Sequence, residues 1–150
     1  MNVLARTEYS LRDKCLDVFV CGCSRKCKGC FNEELWDFNY GVPVSPEWWR
    51  QLEKKVQENT DLIQGIRVLG GDLLCQDATP AIEFSLQLKE SFPSKLLILF
   101  TGASKEEVPS WAKKIYNAIK VGEFREDEYS PEHYLASTNQ QYLLKGVDYI

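Results

Sequence analysis

No apolar run in the sequence is long enough to cross a bilayer: the longest, Leu96 to Phe100, falls far short of the roughly 20 residues a spanning helix needs. Nor does the N-terminus show a secretory signal, since Met1 to Ser10 carries Arg6 and Glu8 and has no sustained apolar core or small-residue cleavage site. These absences argue against a membrane partner and favour a reducing, cytoplasmic setting. Positive charge is in deficit as well. With 18 Lys and Arg against 22 Asp and Glu, the formal net charge of -4 argues against a general electrostatic grip on nucleic acid, and no direct nucleic-acid binding is expected. Histidine occurs once, at His133, with no companion ligand, and reads as a surface or packing residue. Repeats, low-complexity tracts and Gly/Ser linkers are missing, so residues 1–150 read as one domain of ordinary size.

What recurs is an alternation of short apolar runs and amphipathic stretches. Asp17 to Val20, Ile66 to Leu69, Leu96 to Phe100 and Ala118 to Val121 read as buried strands. Ser45 and Pro46 supply an N-cap and a first helical residue, and Trp49, Leu52 and Val56 follow at helical spacing to about Asn59. Thr79 and Pro80 repeat that start signal before Ala81, Phe84 and Leu88, with Phe92 and Pro93 as the stop. Ser104 and Glu107 form a capping-box pattern, and Pro109 restarts a third, broken helix that carries Trp111 and Ile115. Strict alternation of this kind gives an α/β fold with a mainly parallel sheet. A closed eight-unit barrel takes about 250 residues, so an open partial (β/α) barrel of about four βα units is expected. Ligands of such sheets gather at the carboxyl ends of the strands, here Cys21 to Phe31, Gly70 to Leu74, Thr101-Gly102 and Gly122-Glu123.

Cysteine is the residue in surplus. Of six cysteines, four fall between Cys21 and Cys30, and in a reducing compartment that density reads as a metal site rather than a disulfide framework. Cys23, Cys27 and Cys30 make the pattern CxxxCxxC directly after the first strand. Thiolates suit an iron-sulfur cluster or zinc. Three of them hold a [4Fe-4S] cubane with one iron left open to an exogenous ligand, whereas a plain electron carrier supplies four. Adding Cys21 makes a structural zinc site with four thiolates conceivable, and a zinc-binding interaction module is the contrasting reading. Against it, the Cys-x-Cys spacing is unusual for zinc and there is no second CxxC along the chain. Cys15, Cys21 and Cys75 read as small buried hydrophobes.

With the segment Gly22 to Asn32 in view, the chain resembles the radical S-adenosylmethionine superfamily, in which CxxxCxxC closes the first βα loop. More narrowly it resembles the activating proteins of anaerobic ribonucleoside-triphosphate reductase. Further residues that carry the likeness are Glu34 to Phe38, Leu69-Gly70-Gly71-Asp72-Leu73-Leu74, Phe100-Thr101-Gly102, Lys120 to Phe124 and Ser137 to Gln140, so that it spans about Asp17 to Gln140. The resemblance implies a [4Fe-4S] cluster and S-adenosyl-L-methionine as cofactors, reductive cleavage of the latter, and installation of a glycyl radical on the large subunit of anaerobic ribonucleotide reductase. Activation of another glycyl-radical enzyme, or modification of a small molecule, is the alternative within the same chemistry. The resemblance further implies Cys23, Cys27 and Cys30 as metal ligands, Gly70, Gly71 and Asp72 at the methionine amino group, Gly29 and Phe31 around adenine, Thr101 at ribose or the methionine carboxylate, and Asn139 with Gln140 near the active face. Trp36 and Phe38 are expected to cover the cluster or face the partner. A flavodoxin-like electron donor would meet Lys26 and Lys28. The family's Asn-Gly-Pro-Gly type segment is replaced here by Glu8 to Asp13, which alters the expected N-terminal contacts.

Overall fold

The four apolar runs form the parallel centre of one sheet. The computed structural model describes residues 1–131 and 135–150, so His133 lies outside the described residues. In chain order the elements are strands β1 (Asn2–Val3), β2 (Glu8–Ser10), β3 (Cys15–Cys21) and β4 (Val42–Pro43), helix α1 (Pro46–Glu58), β5 (Gly65–Gly70), α2 (Ala78–Ser91), β6 (Leu96–Phe100), α3 (Ser110–Ile115), β7 (Ala118–Val121) and β8 (Gln141–Leu144). The sheet order is β4-β1-β3-β5-β6-β7-β8, with β2 also on β3. Pairing is parallel from β3 through β5 and β6 to β7, and antiparallel everywhere else.

The mainly parallel α/β centre is as the sequence implied, and the sheet is open. Among the described residues the βα units are fewer than expected. Helices follow β3, β5 and β6, but β7 leads through a short 3-10 turn at Glu126–Glu128 into the antiparallel strand β8. The strand ends sit within a residue or two of their sequence readings, and α1 starts as expected because Ser45 Oγ accepts from the Trp48 backbone N–H at 3.2 Å. Helix α2 begins at Ala78, earlier than Thr79-Pro80 suggested. Proline is tolerated there because first-turn N–H groups have no intrahelical partner. The Ser104/Glu107 capping box forms, but on the 3-10 turn Lys105–Glu107, and α3 is a separate short helix, which is the expected break.

Right-handed crossovers that step in one direction place all the helices on one face. Alternation along each strand then divides the side chains. Leu16, Val18, Val20, Ile66, Val68, Leu97, Leu99, Ile119 and Val121 point into the helix-side core, together with Trp48, Trp49, Phe84 and Leu88. Trp49 and Phe84 pack with ring centroids 5.4 Å apart, which joins α1 to α2. The buried hydroxyls of Ser85 and Tyr116 meet at 2.8 Å, which joins α2 to the end of α3. The opposite face, with no helix over it, carries Asp17, Phe19, Arg67, Leu69, Phe100 and Lys120. That face opens into the candidate site.

Among the described residues no helix is long and apolar enough to cross a membrane.

Candidate metal centre

The first two strand ends are fastened backbone to backbone. The Gly71 N–H donates to the Val20 carbonyl at 2.7 Å, and the Asp72 N–H donates to the Gly22 carbonyl at 3.0 Å. A Cβ on Gly71 would come within 2.6 Å of the Gly22 carbonyl oxygen, so this contact requires glycine. Gly70 adopts φ 104°, a left-handed conformation that side chains disfavour. Gln76 adds a clasp, because its Nε2 donates to the carbonyls of Cys21, Gly22 and Asp72 at 3.2, 3.0 and 3.1 Å.

On this platform the cysteine loop rises over a cavity of about 270 Å³ at the carboxyl ends of the parallel strands. Cys23, Cys27 and Cys30 all line it, beside Gly70 and Gly71, with Arg67, Phe100 and Lys120 rising from the open sheet face. Three thiols from one short loop facing one cavity suit a small inorganic group rich in soft metal. The remaining wall fits the same occupant: Trp36 lines the cavity, and its indole Nε1 is buried with no acceptor among the described residues. Hydrogen-bond donors near cluster sulfurs are one of the means by which proteins tune such groups.

The other expected residues divide. Phe31 lines the cavity, is 63% exposed, and packs on Phe124 and Tyr129 at centroid distances of 5.0 and 5.7 Å. Gly29 stands at φ 74° against the Glu126 side chain and does not line the cavity. Asn139 is likewise outside it, donating through Nδ2 to the Glu123 carbonyl at 2.9 Å, whereas its neighbour Gln140 lines it. Thr101 and Asp72 line it but are each only 2% exposed. The Thr101 hydroxyl donates to Asp72 and accepts from the Ala103 N–H at 3.1 Å. Phe38 packs over Gly22 instead of entering the cavity. Lys28 is exposed, with Nζ 4.0 Å from Glu126, and Lys26 takes the left-handed φ of 49°.

Cys15 and Cys21 are buried as small apolar groups, and burial, with the nearby Asp37 charge second, pushes the Cys21 thiol up to about 11. Cys75 departs from that reading. It is half-buried, and its sulfur lies within 4.8 Å of the ligand atoms of Cys23 and Asp72. The Ser24 hydroxyl donates to it at 3.4 Å. A hydrogen bond from Cys23, opposed by burial, holds the Cys75 thiol down at about 6, and the same partnership pushes Cys23 up. Its position came from the turn at Leu73–Cys75, which folds the chain back under the cysteine loop, and no local pattern announces that. Cys75 does not line the cavity and neither does Cys21. We therefore expect Cys75→Ser and Cys21→Ser to keep the iron and sulfide content of the unmodified chain after anaerobic reconstitution. Loss of the metal in either variant would show that the cavity-facing set is incomplete.

Three charged side chains on the helix-free face were given no role by the sequence reading. Asp17, Arg67 and Lys120 each stand as a lone charge inside an apolar strand, and alternation sends all three to the helix-free face. That shared interruption was the available signal. Arg67 pairs bidentately with Asp17 at 2.6 and 2.7 Å and with Asp13 at 2.8 Å, and its guanidinium lies 5.4 Å from the Phe100 ring centroid. Lys120 Nζ is 5.2 Å from the same centroid. Burial pulls its pKa below the usual lysine value, against the opposing pull of Asp72, Cys27 and Cys30. Arg12, from the segment that departs from the expected N-terminal pattern, also lines the cavity.

Comparison with known proteins agrees with this chemistry. Residues 13–144 match the 4Fe-4S single cluster domain family. An anaerobic ribonucleoside-triphosphate reductase-activating protein of Pasteurella multocida is 26% identical over 138 residues, 88% of this chain and 87% of its own length. The protein of the same name from Salmonella typhi is 30% identical over 118 residues, 76% of this chain and 77% of its own. That of Enterobacteria phage T4 is 27% identical over 126 residues, with 83% and 80% covered. No solved structure gives a significant match.

Proposed function

The chain belongs to the 4Fe-4S single cluster domain family, and from that premise we propose that it is a radical S-adenosylmethionine enzyme that activates anaerobic ribonucleotide reductase by generating a glycyl radical on the large subunit. The observation that carries the reading is the convergence of three thiols, and no fourth, on one wall of a cavity whose other walls come from the neighbouring strand ends. The names of its relatives support the choice of partner.

Cys23, Cys27 and Cys30 would hold the cluster, which when bound and reduced would supply the electron for cleaving S-adenosylmethionine to methionine and, after hydrogen abstraction from the partner's glycine, 5′-deoxyadenosine. The protein's part is binding, orientation and exclusion of water. Gly70 and Gly71 wall the cavity with backbone alone, which allows a ligand to approach closely. Lys120 makes no ion pair among the described residues and offers its ammonium to a carboxylate. Phe31, exposed at the rim, offers a face for adenine. The sheet face without helices is left for a macromolecular partner to cover, which suits a protein substrate. The same proposal puts the chain in a reducing cytoplasm, and Lys26 and Lys28, exposed on the cysteine loop, are suited to an acidic flavodoxin-like donor.

A zinc module with Cys21 as fourth ligand fits poorly. Cys21 is fully buried, its sulfur packs beside Gly41, and it does not reach the cavity.

Anaerobic reconstitution with iron and sulfide tests the reading. The expected result is a brown protein that on reduction releases 5′-deoxyadenosine only when S-adenosylmethionine is supplied, and that produces a glycyl-radical signal when the reductase large subunit is added. A colourless protein holding one zinc would sink it.

A further inference from the structure

The Asp72 carboxylate is 2% exposed and ringed by donors. Oδ1 accepts from the Leu74 N–H at 3.0 Å and from the Thr101 hydroxyl at 2.8 Å. Oδ2 accepts from the Gly102 N–H at 2.8 Å and from Arg25 Nε at 2.9 Å. An ionised carboxylate has about four acceptor positions, two on each oxygen, and all are filled from within the chain. An ammonium group in the cavity would have to displace one of these donors.

Arg25 comes from inside the cysteine loop, between Cys23 and Cys27. Its side chain is only 19% exposed, and it crosses the site from the first strand end to the others. Nε reaches Asp72 after β5, and NH1 stands 3.7 Å from Glu123 after β7. Its path over the end of β6 needs Gly102, because a Cβ there would come within 2.5 Å of Arg25 Cδ and 3.0 Å of Nε. One guanidinium and the carboxylate it meets thus join the loops of all four parallel strands. Lys26, next to Arg25, is held at φ 49°, a left-handed conformation that non-glycine residues rarely adopt, and the fastening beside it helps to hold the cysteine loop there. Charge-assisted bonds of this kind are the strong ones, and a buried carboxylate fixes where the arginine can lie.

We propose that Arg25 is a positioning residue for the metal-binding loop and that Asp72 acts as its buried anchor, not as a contact to the bound cofactor. The proposal rests on the cluster reading above, and its test separates the two. The full chain is reconstituted anaerobically as unmodified protein and as Arg25→Gln, Arg25→Lys, Asp72→Asn and the Arg25→Gln/Asp72→Asn pair. Iron and sulfide content, the rate of iron loss to a chelator, the electron paramagnetic resonance spectrum of the reduced cluster and S-adenosylmethionine affinity per cluster are then measured. Arg25→Gln and Asp72→Asn are each expected to lose iron about tenfold faster, in the range seen when groups that orient metal ligands are removed. They should share an altered spectrum, and the pair should be little worse than either alone, because both remove one coupled interaction. Arg25→Lys should restore most of the hold. Cofactor affinity per cluster should stay within about threefold of the unmodified chain.

The proposal is overturned if Asp72→Asn holds iron normally but loses cofactor affinity, which would make Asp72 a ligand contact. It is equally overturned if Arg25→Gln matches the unmodified chain in iron retention and spectrum, a result that stands even where Asp72→Asn fails to fold. An unmodified chain that takes up no iron and sulfide overturns the cluster reading, and this proposal with it.

Discussion

Replacing any one of Cys23, Cys27 or Cys30 by serine is expected to abolish the iron-sulfur chromophore, with iron and acid-labile sulfide falling to the background of a protein without a site. The three thiols share one cavity, and a cubane already one ligand short of closure has no spare. Loss of a group that merely orients a metal ligand costs about 10- to 100-fold in affinity, so loss of a ligand itself should exceed about 100-fold. Substitution from nearby is blocked by position. Cys21 is buried beside Gly41, and Cys75 approaches Cys23 from outside the cavity wall. The measurement is iron and sulfide per chain after anaerobic reconstitution, read beside the blue-end absorbance. A single serine variant that kept full iron and sulfide would show that the cavity-facing triad is not the ligand set. Retention in Cys21→Ser and Cys75→Ser, alongside loss in the other three, is the pattern that separates an open cluster from a four-thiolate zinc site.

The features legible in the sequence are those with a local cause. The apolar runs at β3, β5, β6 and β7 could be placed because strands buried on both faces are nearly continuous in apolar residues, and α1 because Ser45-Pro46 is a start signal read within a few residues. The cysteine loop and Gly70-Gly71 were legible as motifs at strand ends. Strands β1, β2, β4 and β8 were not, since two to four residues carry too short a period to recognise and their pairing depends on neighbours distant in sequence. The fourth βα unit was overcounted for the same reason: a short strand after β7 takes the place at the sheet edge that a further crossover would have needed. Within the site, the residues that touch across loops were the hidden ones. Nothing local says that Gln76 clasps two strand ends, that Arg25 reaches Asp72, or that Cys75 folds back on Cys23.

Removing Arg67 should be the most damaging change to stability outside the helix-side core. Its side chain is 13% exposed and holds Asp17, which is 8% exposed, through two bonds, with Asp13 on its remaining arm. Burying such a pair gains little over an apolar pair of similar shape, but deleting one partner leaves a charge in a poorly solvated place, a loss of about 3 to 5 kcal/mol. Arg67→Ala is therefore expected to lose about that much at neutral pH in chemical denaturation. The double variant Asp17→Val/Arg67→Met should recover most of it, because neither member of the pair is then left as an unpartnered charge and Asp13 keeps Arg12 at 3.1 Å. Acid should narrow the gap between Arg67→Ala and the unmodified chain. Burial raises the Asp13 carboxyl, but Arg12, Arg67 and Ser10 together hold it below the usual aspartate value of 3.8. A depressed carboxyl contributes stability that is present above 3.8 and lost as pH falls through the lowered folded value, so the contribution that Arg67 makes through Asp13 disappears at the acid end. A loss below about 1 kcal/mol in Arg67→Ala, or a double variant no more stable than the single, would show that the pair is solvated and that the helix-free face is wetter than its burial indicates. If the double variant folds, it also serves the functional question. It keeps the cysteine loop and Lys120 while removing the Arg67–Asp17 pair, so a change in ligand affinity is attributable to the loss of that pair.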